Sequence, residues 1–117
     1  MGQANTLKAL GDLDRRLDRY DEARGLYDRA LSLYDEEQSG VGQANTLKAL
    51  GDLEIRLGQH DKSRRLYIRA GALYERERYS QGLANTLKSL ADVELSLRRM
   101  DEARELFSQA LSQKRLD

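Results

Sequence analysis

The 117 residues contain no proline and no cysteine, and lysine plus arginine balance aspartate plus glutamate at 20 each. Such a composition suits uninterrupted helix, excludes a disulfide framework or a cysteine-ligated metal, and offers no basic surplus for nucleic acid or an anionic membrane. No apolar run approaches the ~20 residues of a spanning helix, and Met1-Gly2-Gln3-Ala4 lacks a charged-then-apolar leader, so the expected compartment is the cytoplasm.

In chain order, Leu7, Leu10, Leu13 and Leu17 recur at three- and four-residue spacing, which predicts one apolar stripe on a helix over roughly 4–17. A second stripe, Ala23, Leu26, Tyr27, Ala30, Leu31, Leu33 and Tyr34, predicts a helix from Asp21 to about Glu36. The short turn between them, Asp18 to Tyr20, forces an antiparallel hairpin. Ser39-Gly40-Val41-Gly42 then reads as a breaker, and the pattern restarts. Ala-Asn-Thr-Leu-Lys-Ala-Leu-Gly-Asp-Leu begins at Ala4 and again at Ala44, and a close copy begins at Ala84, a fixed spacing of 40 residues. A regular spacing of this kind marks stacked equivalent units, each too small to bury its own apolar face. The prediction is one domain, 1–117, of three units at about 1–40, 41–80 and 81–117, with a second breaker at Ser80-Gln81-Gly82 and six helices in all. Asp21, Asp61 and Asp101 stand where a carboxylate can cap the second helix of each unit.

Gly11 and Gly51 lie inside first helices, where glycine costs about 1 kcal/mol against alanine, so a close helix contact is the reason to expect them there. Ala91 takes the third copy, and Ala23, Ser63 and Ala103 offer small surfaces on the second helices.

These residues resemble the tetratricopeptide repeats. The resemblance rests on Leu7, Leu10-Gly11, Tyr20, Ala23, Tyr27 and Ala30, on Leu47, Leu50-Gly51, Ser63, Tyr67 and Ala70, and on Leu87, Leu90-Ala91, Ala103, Phe107 and Ala110, and covers nearly the whole chain. Each unit is about six residues longer than the usual ~34, as in scaffold and signalling members of the family. Acids, Asp14, Glu54 and Glu94, fill a first-helix position that is commonly tyrosine, and no proline closes the second helices. The resemblance implies an all-α, right-handed solenoid of three helix-turn-helix repeats, whose concave face is lined by the first helices and holds a protein or peptide, without catalysis or cofactor.

Asn5, Lys8, Asp12 and Arg15 share one helix face, continued by Asn45, Lys48, Asp52 and Ile55 and by Asn85, Lys88, Asp92 and Leu95. On the implied superhelix these form ladders able to meet a peptide backbone and an acidic side chain, with Ile55 and Leu95 as an apolar patch. The plainer reading pairs each lysine with the aspartate four residues on, worth a few tenths of a kcal/mol on a solvated face. The lysine and asparagine clamp that some members use for C-terminal carboxylates is not reproduced: only Lys8 matches, with Asp12, Ala49, Asn85 and Ser89 in the remaining places. His60, the single histidine, replaces Tyr20 and Met100 in a turn and reads as packing, and neither a phosphate-binding glycine loop nor a nucleophile motif is present. Tyr27/Tyr34 and Tyr67/Tyr74 read as packing with hydroxyls at the rim, and the Arg64-Arg65 and Arg98-Arg99 pairs as surface.

Leu106, Phe107, Ala110 and Leu111 would ordinarily receive a following helix. This predicts a homodimer through exposed repeat ends or a piece cut from a longer array. The near-identity of 2–13 and 42–53 fits a recent duplication or an engineered array. Two functions remain open from sequence: a peptide-binding module, and a structural spacer or self-association segment with no groove ligand.

Overall fold

The computed structural model describes residues 2–116, with side chains described through Gln109 and at Leu111. Five helices follow one another: α1 (Gly2–Arg16), α2 (Tyr20–Glu36), α3 (Gly40–Arg56), α4 (His60–Arg76) and α5 (Ser80–Leu116). Each packs on its neighbour in sequence, and α1 also touches α3, which gives an elongated stack of 67 × 31 × 19 Å.

The four turns share one construction at 20-residue intervals. Asp18, Gln38, Gly58 and Arg78 adopt positive φ, between 57° and 73°. In each, the following amide reaches back five residues: Arg19 N–H to the Asp14 carbonyl at 2.8 Å, and Ser39 to Tyr34, Gln59 to Glu54 and Tyr79 to Tyr74 at 2.9 Å. A left-handed residue flanked by such a bond closes the last helical turn and satisfies carbonyls that would otherwise be orphaned. The first and third turns thus centre where the hairpins were predicted.

Four glycine–tyrosine seats fasten the four joints. A Cβ built on Gly11 would lie 2.7 Å from the Tyr27 ring, on Gly42 2.3 Å from Tyr34, on Gly51 2.5 Å from Tyr67, and on Gly82 2.5 Å from Tyr74. One tyrosine of each even-numbered helix therefore sits on the preceding helix and the other on the following one. Gly42 and Gly82 are ring seats inside helices, rather than the breakers that the sequence suggested. Ser63 adds a buried bond from its Oγ to the Gly51 carbonyl at 2.8 Å. Around the rings lie three apolar clusters, centred on Ala4, Leu7 and Ala30, on Ala23, Leu50 and Leu53, and on Ala44, Leu47 and Ala70.

Three expectations are corrected. The predicted leucine stripe is buried over three positions only in the middle unit: Leu47, Leu50 and Leu53 are covered on both sides and only Leu57 at the turn is exposed, whereas Leu10 and Leu13 on α1 and Leu17 just after it are all exposed, because α2 and α3 cover only part of that helix. Asp21 and Asp61 do not cap, since the cap positions are Arg19 and Gln59; they lie in the first turn and meet the positive helix end there, while Asp101 is internal to α5.

The third correction is larger. The last unit does not close as a hairpin, and α5 runs unbroken for 37 residues, about 55 Å. A turn at the next 20-residue interval would place Arg98 at positive φ, a strain of about 1–2 kcal/mol for a residue with a Cβ. Arg78 carries the same strain, but there Tyr74 lies on Gly82 and packs its ring against Tyr79, with centroids 5.7 Å apart. Around Arg98 the seat that the first two units have within each hairpin is missing: Ala91 stands where they have Gly11 and Gly51, and Phe107 where they have Tyr27 and Tyr67. With no lock to offset the strain, continued helical hydrogen bonding prevails. Leu87 is consequently 52% exposed, where its counterparts Leu7 and Leu47 are buried.

Candidate functional site

The face predicted from spacing is assembled by α1, α3 and the first half of α5, and the even-numbered helices hold it from behind. Tyr34 donates its hydroxyl to Asn5 Oδ1, and Tyr74 donates to Asn45 Oδ1. Tyr27 and Tyr67 donate to Asp12 and Asp52 at 2.5 Å each. The tyrosine rings are buried and their hydroxyls emerge at this face, so the expected rim position is correct, but each hydroxyl is committed to a ladder residue. Burial raises the phenol pKa at all four; the hydrogen bond to Asp12 adds to it at Tyr27, as does that to Asp52 at Tyr67, and Tyr74 is pushed up to about 12.

The plainer reading of the lysines holds in two units. Lys8 lies 2.9 Å from Asp12 and Lys48 lies 3.1 Å from Asp52, both partly buried. Arg15 joins the two rungs, 3.8 Å from Asp12 and 3.4 Å from Asp52. On the third rung Asn85, Lys88, Asp92 and Leu95 are exposed, and among the described residues no ion pair links Lys88 to Asp92. Ile55 lines a cavity of about 170 Å³ together with Asp92, Val93 and Ser89, and Leu95 is not among the residues that line it.

Sequence reading missed a second set of polar ties on the other side of the stack. Glu54 is 1% exposed and holds Arg24 at 2.5 Å and Lys62 at 3.5 Å. Forty residues on, Arg64 pairs with Glu94, so this arginine is at the surface, as read from sequence, and there links one unit to the next. The bond to Glu54 raises the Arg24 pKa, ahead of the opposing cost of burial. The signal was present as the shared 40-residue spacing of Arg24/Arg64 and Glu54/Glu94, although partners 30 residues apart lie on different helices.

His60 is half-buried with Nδ1 3.1 Å from the Gly58 carbonyl, as a packed turn residue would be. No group of three or more histidine, aspartate or glutamate residues among those described is arranged to hold a metal, and no helix among them is long and apolar enough to cross a membrane. Met100, Leu106, Phe107 and Leu111 on the projecting half of α5 are exposed, Phe107 at 75%; Ala110 lies outside the described side chains.

Antiparallel helices joined by matched turns, with small residues under aromatic rings, define a helical-repeat protein. The tetratricopeptide repeat family model matches residues 2–70 and 42–115, and the chain belongs to that family. Members generally mediate protein–protein interaction, typically by binding proteins or peptides, and are generally non-catalytic. No curated protein matches the chain.

Proposed function

We propose that the chain is a non-catalytic module that binds an extended or helical peptide segment of a partner protein along the face lined by α1, α3 and α5. The observation that carries this reading is the fixed orientation of the asparagines. Tyr34 and Tyr74 engage Oδ1 of Asn5 and Asn45, which leaves each Nδ2 directed away from the tyrosine, with no partner among the described residues. Two pre-oriented amides one repeat apart, continued by exposed Asn85, suit the carbonyls of a peptide backbone, because little side-chain entropy remains to be lost on binding. The lysines are largely spent on their own aspartates, so charge plays the lesser part. Peptide-library selection against the chain tests the reading: enrichment of a motif that is lost in the Asn5→Ala, Asn45→Ala, Asn85→Ala triple variant, with an unchanged melting temperature, supports it, and equal enrichment by parent and variant overturns it.

A second reading is self-association through α5. Met100, Ala103, Phe107 and Leu111 follow at three- and four-residue spacing the positions Thr86, Ser89, Val93 and Ser96, so the projecting stripe extends the face that α5 packs on α4. Light scattering should then give a dimer mass for the chain and a monomer mass for Phe107→Asp; a monomeric parent at high concentration removes this reading.

A further inference from the structure

The three aspartate rungs are not equivalent, and the difference defines a vacant place. Asp12 is held by Tyr27, Lys8 and Arg15, and Asp52 by Tyr67, Lys48 and, from the neighbouring unit, Arg15. Asp92 has none of the three among the described residues. Phe107 lacks the hydroxyl, Lys88 makes no ion pair there, and Ile55 stands where the preceding unit has Arg15. The carboxylate borders the cavity of about 170 Å³ between α3, α4 and α5, whose walls are Ile55 and Val93 on the apolar side and Ser89, Ser96 and the His60 imidazole on the polar side. Tyr67, bonded to Asp52, closes one end.

We propose that this cavity is a subsite for one basic side chain of the partner, an arginine, which takes at Asp92 the place that Arg15 takes at Asp52. The chain itself supplies the template, a guanidinium of one unit meeting the aspartate of the next at 3.4 Å. Ile55 and Val93 receive the methylene stem, Asp92 receives the charge, and the serine hydroxyls accept the remaining N–H donors. A planar fork of donors fits this set better than the compact lysine ammonium. The inference rests on the groove reading above and adds to it the chemistry of one ligand position.

The test is an NMR amide titration of the full chain with N-acetyl-arginine methylamide beside its neutral isostere, N-acetyl-citrulline methylamide. Saturable shifts at Ser89, Asp92 and Val93 with arginine, weakened at least tenfold in Asp92→Asn and by citrulline, support the subsite. Ile55→Arg, which provides the chain's own guanidinium, should block the same titration. Equal responses to the two probes, or an Asp92→Asn titration like the parent's, overturn the subsite. A library motif that lacks a basic residue and ignores Asp92→Asn overturns the subsite and leaves the groove reading standing. A library that enriches nothing, beside an arginine titration saturating at Asp92, sinks the groove reading and upholds the subsite.

Discussion

The first two units and the third share most of their letters and differ in their architecture. In α1–α2 and α3–α4 a glycine lies under a tyrosine ring and that ring's hydroxyl reaches an aspartate. In α5 the same positions hold Ala91, Phe107 and Asp92, and the helix stays straight. A hairpin in this chain thus depends on a few locking contacts as well as on the apolar pattern, which the third unit carries less fully, with Gln113 and Lys114 where the earlier units have Leu33-Tyr34 and Leu73-Tyr74. Along a straight helix at 100° per residue, moreover, the face of Leu87 and Ala91 and the face of Ala103 and Phe107 point far apart, so the two meet only if the helix breaks.

The largest effect that tests this contrast comes from the rings. Tyr67→Ala should cost about 3–5 kcal/mol by emptying a buried seat, whereas Phe107→Ala should change thermal stability by less than about 0.5 kcal/mol. Comparable losses at both would mean that the third unit closes in solution. Gly51→Leu should cost about 1–3 kcal/mol by forcing atoms into the Tyr67 ring, while Ala91→Leu on the open face should be close to neutral by the same chemical denaturation measurement. Replacing Arg98 by glycine removes the Cβ strain of a left-handed turn and weakens the continuous helix by about 1 kcal/mol. A spin-label distance between positions 88 and 109 should shorten in Arg98→Gly if strain at that residue is what keeps α5 open, and an unchanged distance would assign the difference to the missing ring seat alone.

A smaller, pH-dependent effect separates the units as well. The phenols of Tyr27, Tyr34, Tyr67 and Tyr74 ionise at higher pH in the folded chain than the ordinary value of about 10. Their contribution to stability is therefore full below pH ~10 and is lost as pH rises toward the folded values, because the unfolded state releases its protons first. Melting temperature should fall above pH 10, and the fall should be shallower in the Tyr27→Phe, Tyr67→Phe double variant. An equally steep fall there would mean that other groups drive alkaline unfolding.

Much of this arrangement was legible in the letters. The repeat pattern placed the α1–α2 and α3–α4 turns, whereas the breakers read at Ser39-Gly40-Val41-Gly42 and Ser80-Gln81-Gly82 fall largely inside α3 and α5, just past the observed turns at Gln38 and Arg78; the small residues Gly11 and Gly51 announced the close contact that the rings of Tyr27 and Tyr67 make. The left-handed positions were not legible, because Asp18, Gln38, Gly58 and Arg78 share no side-chain chemistry and are chosen by packing around them. Nor was the straightness of α5, which depends on the absence of contacts at Ala91 and Phe107 that their modest substitutions barely signal. Helical spacing put Asn5, Lys8, Asp12 and Arg15 on one helix face, but the tyrosine partners of Asn5 and Asp12 lie 29 and 15 residues away and required the fold.

The ties between units add arginine–carboxylate pairs to the ring seats that both kinds of joint share. Within a unit the fastening is a buried ring; between units, ion pairs such as Arg15–Asp52, Arg24–Glu54 and Arg64–Glu94 join the ring seats of Gly42 and Gly82. In a one-dimensional description of a repeat array, the first sets the intrinsic term and the second contributes to the coupling term. Salt screens the exposed Arg64–Glu94 pair far more than the one enclosing Glu54. Added salt should therefore loosen the α4–α5 boundary before the α2–α3 boundary, so that the array loses cooperativity from the Asp92 side inward while the central hairpin persists.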